Sequence, residues 1–391
     1  MNDLDTRAGP ARPGLLRRAA PALLGYAAVR ALGLLVLALW SAARGTSAYT
    51  LLTARWDALW YTRVAELGYG YEVRLPNGDV HSNLAFFPLL PWLERLVEAV
   101  SPLSYADGGF LVSVLASLAA AGGIFAVAER LYGPRAGVCA VLLWAALPVG
   151  IVQSMAYSES LFTALAAWSL YAVLTGRWVA AGLLAGCAGL TRPVGLAVVA
   201  AVWAAGLAAL LRERRADPAD RSPPRDRAAV LLGMAVAPLG AAGYVLWVGH
   251  RTGGGPLGYL DVQAGWRNGF DGGYAFARFT GEKFTALPTV PAGLALVAGV
   301  GLLLWLYGVC VRQRQPLALL VYAGVVTALA LCASSYFGSK PRLLLPAFPL
   351  LLPLALGLAR LRTPRSAAVL GSLAVVSAVY GAFWLNGSGP P

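Results

Sequence analysis

Five ionisable side chains stand beside apolar stretches where leaving a charge is costly: Asp57, Glu159, Arg192, Lys340 and Arg342. Their types suggest two halves of one reaction. A carboxylate can take the proton from an attacking hydroxyl, and cations can stabilise a departing phosphate. Asp57 lies in RWDALWYTRVAELGYGY, Arg55–Tyr71. At about 100° per residue, Trp56, Leu59, Trp60, Arg63, Val64 and Leu67 share one side of a helix, with Asp57 and Tyr61 at its edge. That pattern predicts an interfacial helix with its tryptophans at headgroup level. Asp57 is then either a base at the boundary of lipid and water or a cap that pairs with Arg55.

Further along, HSNLAFFPLLPW (His81–Trp92) sets Phe86 and Phe87 before Pro88 and Pro91, which can break a helix at the surface and offer an apolar groove to a lipid chain. In YSESLF, Ser158 or Ser160 reads as a helix cap. Glu159 either complements the positive helix end or binds sugar hydroxyls. Arg192, in GLTRPVGL, sits between two apolar runs, and phosphate is the anion it suits. Lys340 and Arg342 open a later run, and lysine occurs only there and at Lys283. Snorkelling explains either residue alone, whereas with Arg192 they form an anion site. His81 is one of two histidines, so zinc cannot be held by histidine, and a metal would have to use carboxylates.

The elements that must position these groups are membrane helices. Of 391 residues, 58% are hydrophobic and 13% charged, which excludes an ordinary soluble enzyme. Apolar runs near 20–43, 108–128, 136–154, 160–175, 178–190, 194–211, 228–248, 288–310, 316–334, 342–359 and 366–385 predict about eleven transmembrane helices. The first is preceded by Arg7, Arg12, Arg17 and Arg18 and lacks a small-residue cleavage site, so it reads as a retained helix with a cytoplasmic N-terminus. That orientation places 18 basic residues inside and 12 outside, as positive-inside requires. Eleven of the 18 acidic residues then face outward. The organisation is a cytoplasmic tail (1–19), one membrane domain (20–385) and an outer tail (386–391). Long outer loops fall at 44–107 and 249–287 and a basic inner loop at 212–227, the latter suited to solvent or headgroups. The net charge of +13 follows from loop arginines and does not point to nucleic acid. Cys139, Cys187, Cys310 and Cys332 lie in apolar runs without ligand spacing and read as small buried residues.

Taken in order, RWD with its aromatic pair and GY (Arg55–Tyr69), AFFPLLP (Ala85–Pro91), YSESLF (Tyr157–Phe162) and TRPVGL (Thr191–Leu196) resemble the C-type (GT-C) membrane glycosyltransferases. The nearest resemblance is to the PIG-V type family, the second mannosyltransferase of GPI-anchor synthesis, and its bacterial relatives. It is strongest over residues 50–200. Trp60-Tyr61 departs from the eukaryotic members, as does TRPVGL. The resemblance implies a GT-C bundle and inverting transfer of mannose from a polyprenyl-phosphate donor to a lipid or glycan hydroxyl. It makes Asp57 the essential acidic residue of the first outer loop, acting as the general base. Arg55, Trp60, Tyr61, His81, Phe87, Glu159, Arg192, Lys340 and Arg342 become the substrate-binding set. No cofactor is expected, because arginine can neutralise the leaving phosphate, and a divalent metal is left open. The partners implied are the lipid-linked donor, the acceptor and membrane lipids. Arginine-over-lysine usage suggests a GC-rich bacterial source and hence the plasma membrane. A lipid-linked glycan transporter without a base, or a transferase of another sugar, would share the same groove and cations.

Overall fold

The structure is a computed structural model that describes residues 14–215, 217, 223–334 and 336–387. Arg7 and Arg12 of the N-terminal tail, the middle of the 212–227 loop and the end of the 386–391 tail lie outside the described residues.

The chain begins with α1 (Leu15–Ala43) and passes through α2 (Ala48–Thr53) and α3 (Asp57–Leu67) into a small hairpin, β1 (Glu72–Arg74) and β2 (Val80–Ser82). It continues with α4 (Leu89–Val100), α5 (Tyr105–Tyr132), α6 (Pro134–Ala145), α7 (Ser158–Leu174), α8 (Trp178–Gly189) and α9 (Leu196–Arg215). Next come α10 (Pro224–Val236), α11 (Leu239–Thr252), α12 (Gly258–Gly265) and α13 (Tyr274–Glu282). The chain ends with α14 (Val290–Arg312), α15 (Leu317–Cys332), α16 (Lys340–Leu343), α17 (Leu352–Arg360) and α18 (Thr363–Leu385).

This is a multi-pass helical membrane protein. Six helical segments among the described residues are long and apolar enough to cross a bilayer: Leu15–Ala43, Tyr105–Tyr132, Pro193–Arg215, Arg225–Thr252, Leu287–Arg312 and Thr363–Leu385. The other apolar runs form the shorter α6, α7, α8 and α15 and a pair, Phe337–Leu343 and Phe348–Arg360, bent by 74°. Large side chains such as Leu35, Leu39, Leu302 and Trp305 point outward, as a lipid-facing surface requires. Of the cysteines, Cys139 and Cys310 are buried, but Cys187 is exposed, because α8 turns its glycines inward instead. A side chain at Gly182 would strike the Gly233 carbonyl, and one at Gly240 the Gly186 carbonyl, so α8 lies backbone to backbone against α10 and α11.

Local sequence sets the ends of these elements. Ser104 and Asp107 form a reciprocal capping box at the start of α5. Gly133 ends α5 at φ 86°, and Pro134 then starts α6 at a position that lacks a helical N–H partner. In the first long loop, Gly78 supplies a positive φ at the tip of Pro76-Asn77-Gly78-Asp79, and Val73 pairs with His81 across the antiparallel strands.

The two ends of the bundle are chemically distinct. At one end, Arg18 pairs with Glu129 at 2.7 Å and Arg227 with Glu213 at 2.6 Å. At the other, the first loop folds over the mouths of α5 and α7, with Tyr49 donating to Asp107 at 2.7 Å. The candidate residues gather at this second end.

Candidate active site

Asp57 opens α3 directly after Trp56, whose φ of 52° turns the chain sharply into the helix. The buried face of α3 carries Ala58, Tyr61, Val64 and Ala65, and Leu67 is exposed. The side packed on the protein is thus the Ala58–Tyr61–Ala65 side, next to the Trp56–Leu67 stripe. Helix α3 packs by its small residues because α4 and α5 lie close beneath it, and Arg95 of α4 donates to the Val64 and Ala65 carbonyls at its end.

Asp57 does not pair with Arg55, whose guanidinium lies over the Trp56 ring at 4.3 Å. Its Oδ2 instead sits 2.8 Å from Arg342 Nη1, a residue 285 positions away in sequence. Arg342 Nε is 3.2 Å from Glu159 Oε1, and Arg192 Nη1 approaches the same oxygen at 2.6 Å. Two carboxylates and two guanidiniums thus form one ion network at the mouth of the bundle. Glu159 is its centre and only 1% exposed. The Asp57 side chain keeps 26% exposure and Arg342 9%. The Tyr157 ring underlies the Arg342 guanidinium at 5.1 Å. Close though the ions are, neither Arg342 Nε, Arg342 Nη1 nor either Glu159 oxygen has an aligned hydrogen bond. The buried guanidinium therefore keeps donor capacity.

Ser158 does not cap α7. Tyr157 occupies the cap position without a side-chain bond, and the Ser158 hydroxyl meets the Tyr61 hydroxyl at 2.7 Å and accepts from Arg192 Nη1 at 3.1 Å. Ser160 is also no cap, since it donates to the Gln153 carbonyl at 3.1 Å. Burial raises the Tyr61 phenol well above its ordinary range, with Arg192 opposing, so it serves as a hydrogen-bonding phenol and not as a base. Glu159 is 1% exposed with its Oε1 between two arginines, so it lies beneath the surface where one sequence reading had it meet sugar hydroxyls.

An aromatic wall stands beside the ions. Trp60 stacks on Phe86 at 5.7 Å and meets Trp266 edge-on at 4.8 Å, and Phe86 touches Tyr61 edge-on at 5.2 Å. His81 stacks on Trp266 at 4.0 Å, and partial burial lowers its imidazole pKa. Phe87, expected to line a groove, is 2% exposed and packs on Tyr244 and Tyr259 at 4.4 and 5.5 Å. Its neighbour Phe86 takes the position facing the site. Trp266, from the second long loop, was not singled out by sequence. No spacing marks it; its indole donation to the Ser82 carbonyl at 3.0 Å and its ring contacts with Trp60 and His81 bring it in.

Lys340 is the other departure. Its Nζ donates to the Ala330 and Ala333 carbonyls, each at 2.7 Å, and lies 4.7 Å from the Phe276 ring. It closes the end of α15 and does not join Arg192 and Arg342. Among the described residues, no three His, Cys, Asp or Glu side chains converge as a metal-binding group would.

Residues 83–241 match the family described as dolichyl-phosphate-mannose-protein mannosyltransferase. The chain is similar to the GPI alpha-1,6-mannosyltransferase 2 of Rattus norvegicus, 32% identical over 160 residues, covering 37% of this chain and 30% of that protein. The Mus musculus protein of the same name is 35% identical over 156 residues, covering 37% and 29%. The chain thus matches less than a third of the length of these relatives. In fold it is similar to the crystal structure of ArnT from Cupriavidus metallidurans bound to undecaprenyl phosphate, with a TM-score of 0.52 and 19% identity over 88% of this chain and 61% of that one. The mannosyltransferase resemblance read from the ordered motifs is thus matched in sequence over residues 83–241, and the fold is similar to that of ArnT.

Proposed function

We propose that this chain, which shares motifs and fold with the C-type membrane glycosyltransferases, transfers mannose from a polyprenyl-phosphate donor to a hydroxyl of a lipid or glycan acceptor, with inversion. The observation that carries the reading is the convergence of Asp57, Glu159, Arg192 and Arg342 from four separate segments at one mouth of the bundle. In the reaction, the acceptor oxygen bonds to the anomeric carbon as Asp57 takes the hydroxyl proton. The bond from that carbon to the phosphate oxygen breaks, and the electron pair leaves with the lipid phosphate. Arg342 and Arg192 neutralise the charge that develops there. Half-exposed Trp60, Phe86 and Trp266 provide apolar faces for the sugar or lipid beside that point. The arginines supply the positive charge this chemistry requires, so the proposed step needs no metal.

The relatives' names support mannose, the undecaprenyl phosphate in the ArnT structure supports a lipid-linked donor, the charge bias supports an outward-facing mouth, and arginine-over-lysine usage supports a bacterial plasma membrane. The test uses purified protein in nanodiscs with labelled polyprenyl-phosphate mannose, polyprenyl-phosphate glucose and GDP-mannose as alternative donors. Transfer from the first is expected, with label appearing on an acceptor lipid or oligomannoside. Lipid-linked glucose as the sole working donor would change the sugar. Movement of the intact donor between leaflets of proteoliposomes, with no transfer, would replace the enzyme by a transporter. Orientation is tested separately by cysteines placed at the exposed Asn77 and Arg225 in a background without native cysteines. Labelling of position 225 from outside would invert the topology.

A further inference from the structure

Resting on that reading, we infer that Glu159 is a positioning residue that pins Arg192 and Arg342 together, so that the donor phosphate on arriving displaces Asp57, and not Glu159, from Arg342. Four observations lead there. The network is formally neutral, so an added phosphate must compete with a resident carboxylate for guanidinium contacts. Both residents contact Arg342, but they differ in what holds them. Glu159 is almost fully buried, lies in the first turn of α7, and is gripped by two arginines through one oxygen. Asp57 has a single ionic contact, sits at the first turn of a surface helix and is a quarter exposed.

Removing a carboxylate from two cations inside the protein costs more than swinging a partly hydrated one into water. The phosphate therefore takes the Asp57 position on Arg342. The geometry suits a phosphate as well. Arg192 Nη1 and Arg342 Nε share Glu159 Oε1 at 2.6 and 3.2 Å, so the two guanidiniums stand close enough for two oxygens of one phosphate, each at hydrogen-bond distance, to bridge them. The unaligned Nη1 of Arg342, which Asp57 would vacate, is the capacity the phosphate would use.

A functional consequence follows. Without donor, Asp57 is held by Arg342 and turned from the acceptor. With donor, it is released next to the anomeric carbon. The donor thus frees the base that consumes it, and donor binding precedes productive engagement of the acceptor.

Glu159→Gln separates this role from a merely structural one. The neutral amide leaves two arginines facing one carboxylate, so the site gains a net positive charge while losing the pin that sets their spacing. In full-length protein in nanodiscs, polyprenyl phosphate without sugar is expected to bind the variant as tightly as wild type or up to tenfold tighter, while single-turnover transfer at saturating donor falls about a hundredfold. Glu159→Asp, which keeps the charge, is expected to recover at least a tenth of wild-type transfer. Equal losses of binding and transfer in a folded Glu159→Gln protein, or transfer within threefold of wild type, would overturn the inference. If Glu159→Gln does not fold, Glu159→Asp alone decides. Unchanged affinity with reduced transfer supports the role, and parallel loss refutes it. Absence of both polyprenyl-phosphate binding and transfer in wild type would instead refute the proposed function.

Discussion

Replacing Asp57 by Asn keeps the side chain's size and removes both its negative charge and its capacity to accept a proton. As the base, Asp57 contributes about a hundredfold or more to the chemical step, or about 2.7 kcal/mol of barrier. The structural cost is separable. Breaking a fully buried ion pair costs about 3–5 kcal/mol, because a charge is left uncompensated. Here Arg342 retains Glu159 at 3.2 Å, and the Asp57 side chain is 26% exposed, so about 1 kcal/mol of stability is at stake. The variant should therefore remain folded, bind polyprenyl phosphate at least as well as wild type because its competitor on Arg342 is gone, and transfer sugar at about one hundredth of the rate or less. Glu66→Gln is the control. Glu66 lies on the same helix, is exposed, and points about 180° away from Asp57. The assay is single-turnover transfer together with equilibrium donor binding in nanodiscs. Transfer by Asp57→Asn within threefold of wild type in a folded sample would refute the base assignment.

Arg192→Gln should weaken polyprenyl-phosphate binding roughly tenfold to a hundredfold, with a matching loss in kcat/KM, because the phosphate is present in both ground and transition states. Direct binding by the labelled lipid checks it. Lys340→Met should lower thermal stability by about 2 kcal/mol through its lost carbonyl contacts and leave donor affinity within threefold, measured on the same samples. Glu94 of α4 is fully buried with no partner for either oxygen among the described residues, and burial holds its carboxyl well above the usual range. A carboxyl whose folded pKa is raised stabilises fully below its unfolded value and loses that contribution as pH rises through the folded one. Wild type should therefore lose stability from about pH 4.5 upward, and Glu94→Gln should flatten that slope in thermal melts taken across the range.

Much of this architecture is legible in the residues because the bilayer imposes its own rules. Each apolar run is at least partly helical, since lipid offers backbone groups no other partner. Asp57, Glu159, Arg192 and Arg342 stand out for the related reason that charges at such positions require counter-charges. The pairing is not legible. That Asp57 meets Arg342 and not its neighbour Arg55 depends on Trp56 turning with a positive φ and on the 74° bend that brings Arg342 to the mouth. Lys340 and Arg342 differ by two positions and face different surroundings, which periodicity in a four-residue helix cannot resolve. The adjacent Phe86 and Phe87 differ likewise, because the extended backbone at Phe86 sends successive side chains to opposite sides. The hairpin at residues 72–82 has its signal in Asn77-Gly78, a turn pair that no helical period marks. Trp266 carries no local mark, because its role arises from the second loop folding onto the first.

The most direct test of the site is a density map of the full-length protein in nanodiscs with polyprenyl-phosphate mannose bound. The phosphate is expected within about 3 Å of guanidinium nitrogens of both Arg192 and Arg342, with Glu159 still between them and Asp57 detached from Arg342 and facing the anomeric carbon. A phosphate bound elsewhere, such as at Lys340, or a donor sugar lying beyond the reach of Asp57, would contradict this placement.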